Sequence, residues 1–260
     1  MTKKHDIIWV ESVDSTNKEA QRHISDIDNL SVLSAIEQTA GRGQRGNSWE
    51  SQPGMNLLFS VVMKFSEKSP KDGLLDPIDA IDQFVISETA ALSIVDLLGE
   101  NGIEAKIKWP NDIYVGDKKI CGILIENSLK GHSLSSSIVG IGLNVNQNIF
   151  SPSLPNPTSM HLEDGRTFDI KALLERFMDI FCLYLERYFN PHGGYAILRK
   201  LYLSQMWRKD TDTRFKDLRS SSEEIFTGQI QGLSEIGHLQ IKDKKGELRE
   251  FSFKEISYII

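Results

Sequence analysis

The segment Lys108-Trp109-Pro110-Asn111-Asp112 leads into two runs that have the composition of β-strands, residues 113–115 and 119–125. Gly116-Asp117 stands near the junction of these runs. This dipeptide is typical of the tight turn that joins two antiparallel strands. The segment therefore predicts a β-hairpin directly after a cluster of polar and charged residues.

The hairpin predicts which side chains share a face. In the simplest register residue 112 faces 121 and residue 114 faces 119, so Asp112, Tyr114, Lys119 and Cys121 lie on one side. Asp112 and Lys119 are then diagonal neighbours, roughly 7–8 Å apart, a distance that a lysine side chain spans. The pair is expected to face a cavity or solvent, and a surface salt bridge of little energetic value is the alternative.

A glycine-rich loop lies seventy residues earlier and reads Gln38-Thr39-Ala40-Gly41-Arg42-Gly43-Gln44-Arg45-Gly46-Asn47-Ser48-Trp49. Its exposed backbone N–H groups and two arginines suit an anionic ligand. The glycines also fit the G-x-G-x-x-G pattern of dinucleotide-binding folds, but turn residues follow where that fold requires a helix. We therefore predict an anion-binding loop that is not a dinucleotide fingerprint; a solvated surface loop is the alternative.

Two further blocks each allow two interpretations. Ser15-Thr16-Asn17 precedes a helical pattern, and Thr16 with Glu19 has the spacing of a capping box, although the same groups suit a small polar ligand. The strand-like residues 138–146 carry Gly140 and Gly142 on one face. Glycine weakens a strand unless a group must approach its backbone closely, so tight packing and ligand contact are both open here.

These four blocks, in this order, resemble the biotin protein ligases, and the resemblance runs from about Ile7 to the C-terminus. The segment 108–112 is close to a signature of that family. The other matching residues are Ser15-Thr16-Asn17, Gln38-Thr39-Ala40-Gly41-Arg42-Gly43, Trp49, Lys119, Gly122-Ile123-Leu124 and Gly140-Ile141-Gly142-Leu143-Asn144.

The resemblance implies an α+β fold. A mixed β-sheet of the class II aminoacyl-tRNA synthetase type, with helices mainly on one face, forms the catalytic domain, and a small SH3-like β-barrel follows. We expect these domains at residues 1–210 and 211–260. The apolar periodicity predicts helices over 171–189 and 195–207, a charged linker over 208–213, and then short strands with turn glycines.

The activity implied by the resemblance is a two-step ligation that consumes ATP. The carboxylate of biotin attacks the α-phosphorus of MgATP and gives biotinyl-5′-adenylate. A lysine of a biotin carboxyl carrier protein, part of a carboxylase such as acetyl-CoA carboxylase, then attacks the activated carbonyl. The first step needs fixed cations because it brings two anions together, and the second needs an intermediate shielded from water.

The residues that the resemblance assigns form three overlapping groups, with no resident metal because Mg²⁺ arrives with ATP. The catalytic group is Lys119, Arg42, Lys108 and Asp112. The biotin contacts are Ser15, Thr16, Asn17, Gln38, Gly41, Arg42, Gly43, Gln44, Lys119, Gly122, Gly140 and Gly142. The ATP contacts are Arg42, Arg45, Trp49 near adenine, Lys108, Asn111 and Asn144. Whether Asp112 acts as a proton acceptor or electrostatically is left open.

The chain departs from the family pattern in two ways. Gln44 stands where many members carry a second arginine, and glutamine has no charge, so we expect weaker retention of the adenylate unless Arg45 compensates. Bifunctional relatives have an N-terminal DNA-binding domain, whereas six residues precede Ile7 here. With a net charge of −6, the sequence predicts a monofunctional ligase without a DNA partner.

Composition agrees with a main domain plus a small one, since the chain has 260 residues, of which 40% are hydrophobic and 25% charged. Cys121 and Cys182 form no metal or disulfide pattern, and Cys121 is expected to pack in the interior. The sequence shows no signal peptide and no membrane span, so we expect a cytoplasmic protein without a membrane partner.

Two alternative functions remain at this point. A lipoate protein ligase shares the fold, but the arginine-rich loop with consecutive glycines that is usual there is absent from the sequence. A non-catalytic biotin sensor has the same pocket, and the presence of Lys108, Asp112 and Lys119 argues against it. The acceptor carboxylase and the oligomeric state, a homodimer included, are left open.

Overall fold

The computed structural model describes residues 6–67, 74–219 and 223–259, without the side chain of Arg45. Its elements in chain order are β1 Ile7–Val13, α1 Thr16–Arg22, β2 Val32–Gln38, β3 Leu57–Lys64, α2 Phe84–Glu100, β4 Lys106–Lys108, β5 Asp112–Val115, β6 Lys118–Lys130, β7 Ser133–Leu143, α3 Met160–Asp164, α4 Ile170–Tyr188, α5 Gly194–Ser204, β8 Thr213–Asp217, β9 Ile225–Leu233, β10 Leu239–Asp243, β11 Leu248–Phe251 and β12 Ile256–Tyr258.

The larger sheet has the strand order β1-β2-β3-β7-β6-β5-β4. β1 pairs with β2 in parallel, and the other neighbours are antiparallel, so the sheet is mixed as expected. Its central strand β3 is buried over seven of its eight residues, which explains its nearly continuous apolar sequence. The four blocks found in the sequence lie on or beside this sheet.

Helices cover the two faces of the sheet unequally. The main core joins residues of α2, α4 and α5 to one face, where Phe59, Val61 and Val139 point. On the other face, α1 and the turn after it contribute Ala20 and Ile27 to a small cluster with the alternate strand residues. The rest of that second face is open to the candidate site.

The two predicted helices are present with shifted ends. The first is α4, displaced by one residue from the predicted 171–189, and the second is α5, which ends at Ser204. The chain does not continue helically to residue 207, because Met206 and Trp207 bridge and hydrogen-bond to Ile107 at the edge of the sheet. No helix in the described ranges is long and apolar enough to cross a membrane.

The predicted hairpin forms, but its register is wrong beyond the turn. Tyr114 pairs with Lys119 as expected, and a bulge then makes Asp112 pair with Gly122. The extra residue turns Cys121 to the opposite face, where it is fully buried in the main core. Burial there raises the pKa of its thiol, so packing is its role, as predicted.

A second, antiparallel sheet of five strands, in the order β11-β10-β9-β8-β12, follows from Thr213, which lies inside the predicted linker. This agrees with a small C-terminal β domain. Trp109 joins the two sheets, because its indole Nε1 donates to the carbonyl of Gly237 (3.0 Å) and its ring lies 5.3 Å from that of Phe253. The domain boundary at residue 210 stays a prediction.

Candidate active site

On the larger sheet, the part of the second face that α1 leaves open forms the floor of a cavity of about 310 Å³. Paired residues of an antiparallel sheet share a face, and two rows line this floor: Asp112, Gly122 and Gly142 in one, Leu124 and Gly140 in the other. A Cβ on Gly140 would lie 2.1 Å from Asn17 Oδ1. Glycine is therefore required there by the close approach of a side chain from α1.

A hydrogen-bonded network closes the inner end of the cavity. The Ser60 hydroxyl, fully buried on β3, donates to Asn17 Oδ1 (2.7 Å) and lies 2.8 Å from Thr16 Oγ1. Gln38 Oε1 accepts bonds from the N–H (2.7 Å) and hydroxyl (3.1 Å) of Thr16. The Oε1 acceptor of Gln38 is therefore engaged within the protein.

The predicted capping box is wrong. Thr16 is the first residue of α1, the residue before it caps the helix without a side-chain hydrogen bond, and the Thr16 hydroxyl is committed to the network. The amide of Asn17 is fixed by bonds from Nδ2 to the carbonyl of Leu124 (3.1 Å) and to Glu126 (2.9 Å). The side chains of Thr16 and Asn17 therefore bond to residues of the sheet and do not cap the helix.

Cationic side chains reach the cavity from three elements. Lys119 Nζ on β6 lies 2.7 Å from Asp112 on β5, and the Arg42 guanidinium of the glycine-rich loop lies 3.0 Å from Glu126. Lys108 Nζ is 2.8 Å from the Tyr114 hydroxyl. Among the described lining residues three are cations and one is a carboxylate, Asp112, so the cavity favours an anionic ligand.

Lys108 carries its ammonium in a largely buried position. Burial lowers its pKa, the nearby Lys119 and Arg208 act in the same direction, and Asp112 opposes them. A partly desolvated ammonium interacts more strongly with an anion than one in water does. The described residues contain no group of three or more His, Cys, Asp or Glu side chains placed to hold a metal ion.

The glycine-rich loop is a closed turn. A single 3₁₀ turn spans Gln44–Gly46, and the Trp49 N–H donates to the Gly41 carbonyl (2.9 Å). No helix follows, which confirms that the loop is not a dinucleotide fingerprint. The indole of Trp49 lies against the floor, since a Cβ on Gly142 would be 2.5 Å from it and one on Gly122 would be 2.9 Å from it. Its Nε1 is buried without a hydrogen-bond partner among the described residues.

Most of the predicted site residues line this one cavity. They are Ser15, Thr16, Asn17, Gln38, Arg42, Gly43, Gln44, Trp49, Lys108, Asn111, Asp112, Lys119, Gly122, Gly140 and Gly142. The four sequence blocks, which are separated by up to about 125 residues, therefore meet at a single place.

Three predicted residues stand apart. Asn144 lies outside the lining, because its side chain is buried and its Nδ2 donates to the carbonyl of Thr158 (2.9 Å). Gly41 also lies outside the lining; a Cβ there would be 2.4 Å from the Trp49 carbonyl oxygen, so this glycine allows the loop to close. The side chain of Arg45 lies outside the described part of the structure.

Sequence patterns do not identify several residues that line the cavity or lie behind its lining, and Ser60 and Glu126 belong to the second group. Ser60 carries a signal, since it is a hydroxyl in the middle of an otherwise apolar strand, and Glu126 is an acidic residue on β6. The C-terminal sheet contributes residues for which the sequence held no signal, because their place depends on how the two sheets dock: Phe253, Ile256, Ser257 and Tyr258.

Comparison with known proteins places this chain in a family. A profile described as the Biotin/lipoate A/B protein ligase family matches residues 9–144, more than half of the chain. The biotin--[acetyl-CoA-carboxylase] ligase of Paracoccus denitrificans is 29% identical over 243 residues, 90% of this chain and 92% of that protein. The bifunctional ligase/repressor BirA of Bacillus subtilis is 29% identical over 85% of this chain, which spans 64% of that protein's length.

Solved structures share the fold. The biotin protein ligase from Aquifex aeolicus in complex with biotin and ATP has a TM-score of 0.76 and 28% identity, with 98% of both chains covered. A mutant of the Aquifex ligase in complex with biotin has a TM-score of 0.76 and 26% identity, with 99% of both chains covered. With a family profile over more than half of its length, the chain belongs to the biotin/lipoate A/B protein ligase family.

Proposed function

We propose that the protein is an ATP-dependent biotin protein ligase, which activates biotin to biotinyl-5′-adenylate and transfers it to a lysine of a biotin carboxyl carrier protein. The observation that carries the proposal is the convergence of Arg42, Lys108 and Lys119 on a cavity with a polar inner end. The similarity to an Aquifex ligase bound to biotin and ATP supports the choice of substrates.

The polar inner end suits the head group of biotin, and the cations suit the reacting end. Donors and acceptors are held at fixed positions there by Gln38, Thr16 and Asn17. The ureido ring of biotin therefore binds at this end, and the carboxylate at the end of its side chain points toward Lys119. Mg²⁺ enters bound to the phosphates of ATP. Trp49, whose ring borders the floor, offers a flat surface against which adenine stacks.

In the first step a carboxylate oxygen of biotin bonds to the α-phosphorus, and the bond to pyrophosphate breaks. Both reactants are anions, so Lys119, Lys108 and Arg42 lower the barrier by offsetting charge that concentrates at the α-phosphate. Asp112 lies 2.7 Å from the Lys119 ammonium and holds it in place. In the second step the lysine amine of the carrier bonds to the activated carbonyl carbon, the bond to AMP breaks, and the nitrogen loses a proton. We assign Asp112 an electrostatic role toward the incoming amine, with proton acceptance as the alternative.

Intact mass of an apo carrier domain tests the proposal. The purified protein is incubated with the domain and MgATP, with biotin in one tube and lipoate in another. We expect the mass to rise by one biotinyl group only with biotin and ATP. A gain with lipoate alone would favour the lipoate ligase, and no gain in either tube on a domain that a known ligase modifies would favour the sensor. Cytoplasmic location stays a prediction.

Substitution of Ser60 by alanine is expected to raise the KM for biotin about tenfold, because the buried hydroxyl that fixes Asn17 and Thr16 is lost. The KM for ATP should change less than twofold. Steady-state kinetics of adenylate formation make the comparison. Ser34→Ala is the matched control, since this buried hydroxyl on β2 donates to the carbonyl of Leu58 away from the network. Equal biotin KM values for Ser60→Ala and wild type would remove Ser60 from the site.

Gln44 lines the cavity, so an arginine there adds a charge beside the phosphate of the adenylate. We expect Gln44→Arg to slow dissociation of biotinyl-5′-adenylate about tenfold, the scale of one charge-assisted hydrogen bond discounted for solvent. Release of the labelled adenylate into an excess of unlabelled ligand measures the rate. An unchanged rate would show that the missing arginine does not matter in this chain.

A further inference from the structure

The ammonium group of Lys108 lies among three aromatic rings. Its Nζ is 4.5 Å from the ring centroid of Tyr114, 5.3 Å from that of Tyr258 and 5.8 Å from that of Trp207. Each distance is within the range of a cation–π interaction. The Tyr114 hydroxyl, 2.8 Å away, adds a hydrogen bond. We call Tyr114, Tyr258 and Trp207 the aromatic cage.

The members of the cage come from both sheets. Tyr114 lies on β5, and Trp207 follows α5 and hydrogen-bonds to the edge of the larger sheet. Tyr258 lies on β12, the last strand of the C-terminal sheet, where it pairs with Phe215. Its ring is 5.5 Å from that of Trp207 and 5.2 Å from that of Phe215. The C-terminal sheet therefore supplies one wall around a lysine of the larger sheet.

The contact places Tyr258 in the cavity itself. Tyr258 is among the lining residues, and its hydroxyl is buried without a hydrogen-bond partner among the described residues. A lysine side chain has a flexible stem of four carbons. Lys108 also lies near two further cations, Lys119 and Arg208, which repel its ammonium. Without a surrounding wall it would be free to turn toward solvent. The rings hold the charge in place without neutralising it, unlike a carboxylate.

We propose that Tyr258 is a positioning residue for Lys108. Through this ring, the C-terminal sheet holds in place the ammonium that meets the phosphates of ATP. The inference rests on the proposed function. Tyr258 itself does not contact the reacting atoms in this proposal. Its effect reaches the reaction through the position and hydration of the Lys108 ammonium.

The test compares Tyr258→Leu, which removes the ring and keeps apolar volume against Phe215, with Tyr258→Phe, which keeps the ring. We expect Tyr258→Leu to lower kcat for biotin-dependent adenylate formation about tenfold and to leave the KM for biotin within twofold. Tyr258→Phe should restore most of the rate. Phe226→Leu is the matched control, since its ring packs on Phe215 in the same sheet and is not part of the cage.

A second readout is independent of ligase activity. The pH dependence of acetylation of Lys108 by acetic anhydride, followed by peptide mass spectrometry, gives the midpoint of its titration. We expect a midpoint below that of an exposed lysine in wild type, because the ammonium is buried. In Tyr258→Leu the midpoint should fall further, because the attraction of the ring for the ammonium is lost and leucine gives the charge no replacement, and in Phe226→Leu it should not change.

The outcomes separate the two proposals. Failure of the wild type to form biotinyl-adenylate would refute the proposed function, and the acetylation midpoint would still test the cage. An unchanged midpoint and kcat in Tyr258→Leu would overturn the assignment. An equal loss of kcat in Phe226→Leu would overturn it too, because the effect would then come from the stability of the C-terminal sheet.

Discussion

Lys119→Met is expected to lower the rate of biotinyl-adenylate formation by about 100- to 1,000-fold, the effect of removing one preorganised charge from a site where charge develops. Methionine keeps most of the apolar stem that lies against Gly122 and removes the ammonium. It also leaves Asp112 in the cavity without its 2.7 Å partner, which adds a repulsive charge toward both anionic substrates. Quenched-flow measurement of the adenylate gives the rate.

Lys118→Met is the control for this substitution. Lys118 is the preceding residue of β6, is exposed, and reaches Glu163 on the outside of the domain (3.4 Å). The Lys118→Met variant loses the same charge from the same strand as Lys119→Met does, but outside the cavity. It should therefore keep the wild-type rate within twofold. Similar rates for Lys119→Met and wild type would exclude Lys119 as a catalytic residue, whatever the control shows.

Gly140→Ala is expected to raise the KM for biotin about 100-fold. The added Cβ would lie 2.1 Å from Asn17 Oδ1 and 2.8 Å from its Cγ, so the Asn17 side chain must leave its place. Its bonds to Ser60, Leu124 and Glu126 break together, and two or three lost hydrogen bonds account for the expected loss. Titration of the protein with biotin by calorimetry should show the same change in affinity.

Gly232→Ala provides the matched glycine control. Gly232 is also a strand residue, and a Cβ there meets no atom within 4 Å, so this variant should bind biotin like the wild type. Thermal unfolding of both variants separates lost affinity from lost stability. Gly140→Ala with wild-type affinity would mean that Asn17 does not form the biotin site.

The sequence predicted local features that depend on short-range chemistry. The hairpin at Gly116-Asp117 and the contact between Asp112 and Lys119 are confirmed. The predicted pairing of β5 with β6 is wrong beyond Tyr114, because a bulge adds one residue to β6. Both Ile120 and Cys121 are apolar and buried, so the alternation of polar and apolar residues could not reveal the bulge.

Tertiary contacts explain the other differences. Thr16 has the spacing of a capping residue, yet its hydroxyl bonds to Gln38, twenty-two residues away, which local spacing cannot indicate. Trp109 belongs to a family signature in the sequence, and in the structure its indole N–H binds the carbonyl of Gly237 in a turn of the second sheet. Tyr258 reaches Lys108 across 150 residues only through the docking of the two sheets.

The most direct test of the proposed ligase is detection of biotinyl-5′-adenylate on the protein in the absence of any acceptor. The purified chain is incubated with biotin and MgATP, quenched in acid, and the released small molecules are analysed by mass spectrometry. We predict at least one equivalent of biotinyl-5′-adenylate per chain, formed only when both substrates are present and reduced at least 100-fold in initial rate in Lys119→Met. No biotinyl-adenylate from protein that is folded and binds both substrates would contradict the assignment of this cavity to biotin activation.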